Sequence, residues 1–156
     1  MTNQVKIEHT QKMNFLNIDY HKKLNINFND KRGSISDIFY NTSIQHVAII
    51  KSKPNVLRGD HYHKKTTQWM LMTKGSMEYW YKKLNSKTKP KMKILKVGDL
   101  VETPPNEMHA LKIRKYGNEF VVFTVGKRGG KDYESDTYRF YPSLINSTKN
   151  NENYKI

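Results

Sequence analysis

The chain of 156 residues contains no cysteine, so it has no disulfide and no thiolate for catalysis or metal binding, which fits a cytoplasmic location. No apolar run is long enough to cross a membrane, and no charged-then-apolar leader is visible; we expect neither a membrane partner nor a secretory signal. No segment sustains a helical period and no internal repeat is present, so helix content should be low. Acidic residues are scarce, 14 against 28 lysines and arginines, leaving a net charge of +14. No helix-turn-helix, zinc-finger or RNP-type aromatic signature accompanies that charge, so nucleic acid is not the expected partner.

A field of this sign attracts polyanions in general, including a diphosphate. The lysines are spread over loops, with a local cluster in Lys82-Lys83-Leu84-Asn85-Ser86-Lys87-Thr88-Lys89-Pro90-Lys91, which reads as a solvated hairpin connection. The length fits one domain. Residues 1–24 form a weakly patterned N-terminal arm, residues 25–140 the folded domain, and residues 141–156 a polar tail. Within the domain, short β-rich runs alternate with turn signals, the pattern of an antiparallel barrel or sandwich. The expected strands are Leu24 to Phe28, Ser34 to Tyr40, Ile44 to Lys51, a segment around His61 to His63, Gln68 to Thr73, Ser76 to Lys82, Met92 to Lys96, Asp99 to Glu102, His109 to Ile113 and Phe120 to Val125. Lys74-Gly75 and Tyr116-Gly117-Asn118 are among the turn signals between them.

The most informative stretch is Arg58-Gly59-Asp60-His61-Tyr62-His63-Lys64-Lys65-Thr66-Thr67-Gln68, closed by Gly75. His61 and His63 are two apart and share one face of a strand; Gln68, Met70 and Met72 likewise share a face, opposite Trp69 and Leu71. A second segment, Gly98-Asp99-Leu100-Val101-Glu102-Thr103-Pro104-Pro105-Asn106-Glu107-Met108-His109, runs from a turn through a strand to another turn and a third histidine. His9, His21 and His46 read as ordinary structural histidines.

The two segments resemble the paired motifs of the cupin superfamily, G-x5-HxH-x4-E-x6-G and G-x5-PxG-x2-H. The chain departs from them at Asn55, Gln68 and Asn106, in place of glycine, glutamate and glycine. Asparagine tolerates the left-handed backbone, so the two glycine replacements are mild, whereas the glutamine bears on chemistry. The run from Arg58 to Gln68 is similar to the signature of cupin-fold nucleotide-sugar 3,4-ketoisomerases. Its beginning, Val56-Leu57-Arg58-Gly59, also resembles deoxysugar 3,5-epimerases and the cupin half of certain capsule-sugar reductases. The acidic-aromatic ending Asp132-Tyr133-Glu134-Ser135-Asp136-Thr137-Tyr138-Arg139 is similar to the close of these enzymes. The resemblance implies an all-β cupin double-stranded β-helix, a nucleotide-diphosphate 4-keto-6-deoxy sugar as substrate, a homodimer, and a place in surface-glycan sugar biosynthesis.

Two chemistries suit these residues. In one, no cofactor is required: His61 takes a proton from a carbon beside a ketone, an enediolate forms, and His63 acts as the second acid/base or orienting group. Arg58 and Lys64 then stabilise anionic oxygen or the diphosphate, while Gln68, Tyr62, Tyr79 and His109 contact or orient the sugar. In the other, His61, His63 and His109 ligate a divalent metal with Gln68 as a weak fourth ligand. An amide there offsets none of the metal's charge. A non-catalytic cupin that binds a sugar or polyanion is the reading outside the enzymes. The acidic run Asp132 to Asp136 reads as a solvated loop, with Tyr138 and Arg139 closing the barrel or a dimer.

Overall fold

Two long strands carry the architecture of the computed structural model, which describes residues 21–23 and 28–146. They are β6 (Thr67–Lys83) and β9 (Glu107–Val125). Around them lie β1 (His21–Lys23), β2 (Phe28–Asp30), β3 (Gly33–Ile35), β4 (His46–Ser52), β5 (Leu57–Tyr62), β7 (Lys91–Lys96), β8 (Asp99–Thr103) and β10 (Tyr138–Arg139). Among the described residues the only helical element is a 3-10 turn at Gly130–Asp132, and no helix is long and apolar enough to cross a membrane.

β6 and β9 pair antiparallel from end to end, and each bends midway, so its two halves belong to two facing layers. The first layer runs β1, β8, the first half of β6, the second half of β9, and β4; the second runs β7, the second half of β6, the first half of β9, β5 and β10. All pairings are antiparallel, which gives the all-β cupin-type barrel expected from the motifs. β2 and β3 form a separate hairpin.

The bend corrects one reading of the sequence. Gly75 and Gly117 look like turns that end strands, yet Gly75 pairs with Asn118 inside the continuous ladder. Both glycines have φ of +72°, and a Cβ on Gly75 would run into the Gly117 carbonyl oxygen. Glycine lets the two ribbons fold over at close approach instead of separating them.

Side-chain alternation fills both faces. Met70, Met72, Phe120 and Val122 point into the barrel with Met77, Tyr79, Leu95 and Ile113, all nearly solvent-free. A fully buried side chain of this size contributes about 1.5–3 kcal/mol. Trp69, Leu71 and Leu100 face outward under Ile38, Phe39 and Ile44. That cover explains why the expected strand from Ser34 to Tyr40 stops at Ile35: Phe39 is used edge-on against Trp69 and Phe123, at 5.2 and 4.9 Å between ring centroids. On the other layer Leu144 and Ile145, from the stretch read as a polar tail, pack against Ala110. Of the expected strand Leu24 to Phe28, residues 24–27 lie outside the described residues.

A Gly75→Val substitution places a β-branched side chain at positive φ against the Gly117 carbonyl. We expect the melting temperature to fall by roughly 3–10 °C, with a smaller loss for Gly98→Ala, where no atom lies within 4 Å of the added Cβ. Thermal denaturation monitored by circular dichroism checks this, and equal losses for both would show that the bend tolerates a side chain.

Candidate active site

The site begins with a slip in β5. Gly59 and Asp60 have φ of +85° and +52°, and the β5–β9 register shifts between Gly59 and His61. A Cβ on Gly59 would sit 2.8 Å from the His109 carbonyl oxygen, so glycine is what admits β5 this close to β9. The slip leaves His61 directly opposite His109, with ring centroids 4.5 Å apart. His63, one residue past the end of β5, brings its ring to 4.9 Å from His61 and 5.6 Å from His109. His63 and His109 are almost fully buried.

Backbone carbonyls set two of the three tautomers. The Nδ1–H of His63 donates to the Asp136 carbonyl oxygen at 2.6 Å, and that of His109 to the Glu107 carbonyl oxygen at 3.2 Å. Each ring therefore turns an Nε2 lone pair toward the cluster. Both ring nitrogens of His61 are buried and make no well-formed hydrogen bond within the protein, only the Gly59 backbone pulling against the effect of burial.

Asp136 is the clamp behind this arrangement. Its carboxylate accepts from the backbone N–H groups of Lys64, Lys65 and Thr66 at 3.0, 2.9 and 2.8 Å and from the Thr66 hydroxyl at 2.8 Å. Burial alone would push the carboxyl up, but these hydrogen bonds outweigh it and hold Asp136 below the usual range. Asp136 thus ties His63 and the loop after it to the C-terminal segment, where a solvated acidic loop was expected.

Arg128 is the second residue that the sequence did not single out. Its Nη1 donates to His63 Nε2 at 2.8 Å. With the Gln68 amide oxygen turned toward it, Gln68 accepts from Nη1 and Nε of Arg128, each at 3.0 Å. The guanidinium also lies 5.0 Å from the centre of the Tyr133 ring.

These groups border a cavity of about 370 Å³ between the two layers. Its polar lining includes Arg58, His61, Gln68, His109, Arg128 and Arg139; its apolar lining includes Met70, Leu111, Phe120 and Val122. Of the residues expected at the site, the structure brings together His61, His63, His109 and Gln68. Arg58 lines the cavity, with its guanidinium anchored on Ser52 Oγ at 2.9 Å and the Lys51 carbonyl at 3.1 Å. Lys64 and Tyr62 are not brought to the cavity: the Lys64 ammonium sits 4.1 Å from the Tyr138 ring centre, and Tyr62 stacks on that same ring at 5.3 Å. Tyr79 lies in the core against His109, its hydroxyl bonded to Thr103 Oγ1 at 2.9 Å and to the Glu107 carboxylate. Tyr138 and Arg139 pair with Tyr62 and His61 and so add a short edge strand to the second layer.

Burial keeps the cluster neutral. It pushes His61 down to about 3, helped by the repulsion between protons on His61 and His63 and by the charge of Arg128, and lowers His63 and His109 as well. Burial also pulls Arg128 down, but a guanidinium remains charged at any working pH. The result is three unprotonated imidazoles beside the fixed positive charge of Arg128, with Arg139 a weaker influence on His61.

The three histidines can present one nitrogen each within 4.8 Å of one another, a donor set with room for a divalent ion. The rest of the site does not fit such an ion. Arg128 bonds the inward nitrogen of His63 and the oxygen of Gln68, two of its four prospective ligands, and adds a like charge beside it.

Replacing the Asp136 clamp tests its role. Because its carboxyl is held below the usual range, its contribution is complete above an unfolded pKa near 3.9 and is lost as pH falls through the lower folded value. Asp136→Asn should cost about 1–3 kcal/mol at pH 7, with the deficit narrowing below pH ~4. Urea denaturation at both pH values reads this; an unchanged deficit in acid would mean that the carboxylate charge contributes nothing.

Comparison with known proteins places this geometry. A 3,4-ketoisomerase from Helicobacter canadensis is 24% identical over 86% of this chain and 100% of its own, with a TM-score of 0.63. A mutant 3,4-ketoisomerase from Thermoanaerobacterium thermosaccharolyticum, in complex with TDP-4-keto-6-deoxyglucose, is 20% identical over 85% of this chain and 94% of its own, with a TM-score of 0.62. A 3'-monoepimerase from Streptomyces bikiniensis, in complex with dTDP-quinovose, is 13% identical over 79% of this chain and 69% of its own, with a TM-score of 0.65. At these identities the likeness establishes the fold. No curated protein sequence matches the chain. The family model for the polysaccharide biosynthesis C-terminal domain matches residues 28–138, which take in both motifs and the whole histidine cluster, and the chain belongs to that family.

Proposed function

We propose that the protein isomerises or epimerises a nucleotide-diphosphate 4-keto-6-deoxy sugar by histidine-mediated proton transfer. The observation that carries this reading is His61, a buried, unprotonated imidazole at the cavity wall whose nitrogens make no well-formed hydrogen bond to another side chain. A base must be neutral before it acts and must have a lone pair free for the substrate; His61 meets both requirements. His63 and His109 each commit one nitrogen to a backbone carbonyl, and His63 gives the other to Arg128.

The step balances without a redox partner. His61 takes the proton on the carbon beside the 4-ketone, the electrons of that C–H bond form a carbon–carbon double bond, and the ketone oxygen becomes an enediolate oxygen. Return of a proton to the former carbonyl carbon, with the hydroxyl proton of the first carbon passing to the former ketone oxygen, completes a ketone shift, while return to the opposite face of the first carbon with re-formation of the 4-ketone completes an epimerisation. The positive charge of Arg128 near His61 opposes protonation of the ring but favours the enediolate formed beside it. Negative charge brought by the bound diphosphate raises the basicity of His61 during the reaction.

The relatives support the substrate class, since one is bound to TDP-4-keto-6-deoxyglucose and another to dTDP-quinovose. We also infer a two-fold homodimer. Its support is β4, which among the described residues pairs only with β9 and leaves Val47 and Ile49 57% and 63% exposed.

Incubation with TDP-4-keto-6-deoxyglucose in deuterated water should place deuterium at a carbon adjacent to the ketone, or at the former carbonyl carbon, as read by NMR. His61→Asn should keep the fold and slow this exchange by about a hundred- to ten-thousand-fold. Absence of exchange in the wild type, or full exchange in His61→Asn, would overturn the assignment. Light scattering should report a dimer for the wild type and a monomer for Val47→Asp combined with Ile49→Asp; a wild-type monomer removes the dimer.

A further inference from the structure

The cation that stands among the donors of the histidine cluster belongs to the chain itself. Arg128 follows β9 on a segment framed by Gly126 and Gly129, with φ of +126° and +135°. A Cβ on Gly126 would meet Thr66 Oγ1 at 2.7 Å, and one on Gly129 would meet the His46 ring at 2.7 Å. The segment is therefore threaded between Thr66 and His46 where only glycine passes, and Arg128, one of the two residues between these glycines, is delivered into the barrel. His46, an unremarkable histidine in the sequence, forms one wall of that passage.

The contacts that Arg128 makes are those a divalent ion would seek. His63 donates its Nδ1–H to Asp136, so Nε2 is its only lone pair, and Arg128 takes it at 2.8 Å. The Gln68 oxygen, at the position where many metal cupins carry a carboxylate, accepts twice from the same guanidinium. These two hydrogen-bond partners are neutral, while the carboxylates of Glu134 and Asp136 act on the guanidinium from farther off. An amide at position 68 leaves the guanidinium charge intact, where a carboxylate would cancel it.

We infer that Arg128 is the resident cation of this cluster, holding the ligand positions of a divalent metal, and that its removal turns His61, His63, His109 and Gln68 into a metal site. The inference goes beyond the substrate reading, because metal occupancy is measured without any substrate. Even at the dielectric of water, a single and a double positive charge about 4 Å apart repel enough to weaken binding roughly thirty-fold, and burial strengthens the effect.

Cobalt(II) titration of chelator-treated protein, followed by visible absorption and calorimetry, tests this. The wild type should take up no stoichiometric cobalt and should keep any isomerase activity after exhaustive chelation. Arg128→Met should bind one equivalent at least about thirty-fold more tightly, and should lose it again when combined with His63→Ala. Arg128→Lys, which retains a cation, should stay as weak as the wild type. Arg128→Gln replaces the methionine variant should that one fail to show a wild-type-like melting transition. One tightly bound equivalent in the wild type or in Arg128→Lys would overturn the inference, as would a folded, uncharged variant that binds no better than the wild type.

Discussion

The pairing of β6 with β9 along both layers is the constraint on which the rest depends. Because the ribbon is continuous, the bend at Gly75 and Gly117 sets the relation of one layer to the other and hence the width of the cavity. Gln68 belongs to the first layer, paired with Thr124 and Thr103; His109 belongs to the second, paired with Tyr81 and His61. The site is assembled across the gap, so its geometry is a property of the bend and not of any one loop. This is how a barrel fixes polar groups without a flexible support.

Within that frame the electrostatics follow from burial. Three imidazoles this close cannot all be charged in a poorly solvated interior, and each is driven toward its neutral form. Neutral rings need defined tautomers, and the carbonyls of Asp136 and Glu107 supply them for His63 and His109. Glu107 is itself fully buried, with its carboxylate on the Tyr79 hydroxyl, so the backbone that orients His109 is anchored from the core side. His61 and His109 both line the cavity, while His63 is held by Arg128 and the Asp136 carbonyl.

Much of this was legible in the sequence where local pattern decides the outcome. The alternation of Gln68, Met70 and Met72 against Trp69 and Leu71 gave the two faces of β6 directly, and the spacing of His61, His63 and His109 gave the cluster. What escaped the reading depends on long-range contact. Gly75 and Gly117 punctuate a linear sequence in the same way whether the chain turns or merely bends, and only the partner strand distinguishes the two. Arg128 is flanked by glycines in what reads as a surface loop, and Asp136 sits in an acidic run; each matters through residues more than 60 positions away. Gln68 carried a usable signal, since an uncharged amide where a carboxylate is usual implies that positive charge comes from elsewhere. Tyr62 and Lys64 went the other way: their neighbours in sequence enter the site, but the strand pleat and Tyr138 take these two side chains outside it.

The charge distribution completes the physical picture. The arginines that line the cavity are not equivalent, because Arg139 is paired with Glu134 at 2.9 Å while Arg58 is held by the neutral acceptors Ser52 and Lys51 carbonyl. Arg58 therefore keeps its charge available to an anion, Arg139 largely does not, and Arg128 is partly offset by Glu134 and Asp136. The lysine hairpin between β6 and β7 is also tied to the site: Leu84 donates to the Asn106 carbonyl, and the Asn106 N–H donates to the carbonyl of His63. Lysines that read as plain solvated surface thus project from a hairpin connected to the histidine cluster through a single turn residue.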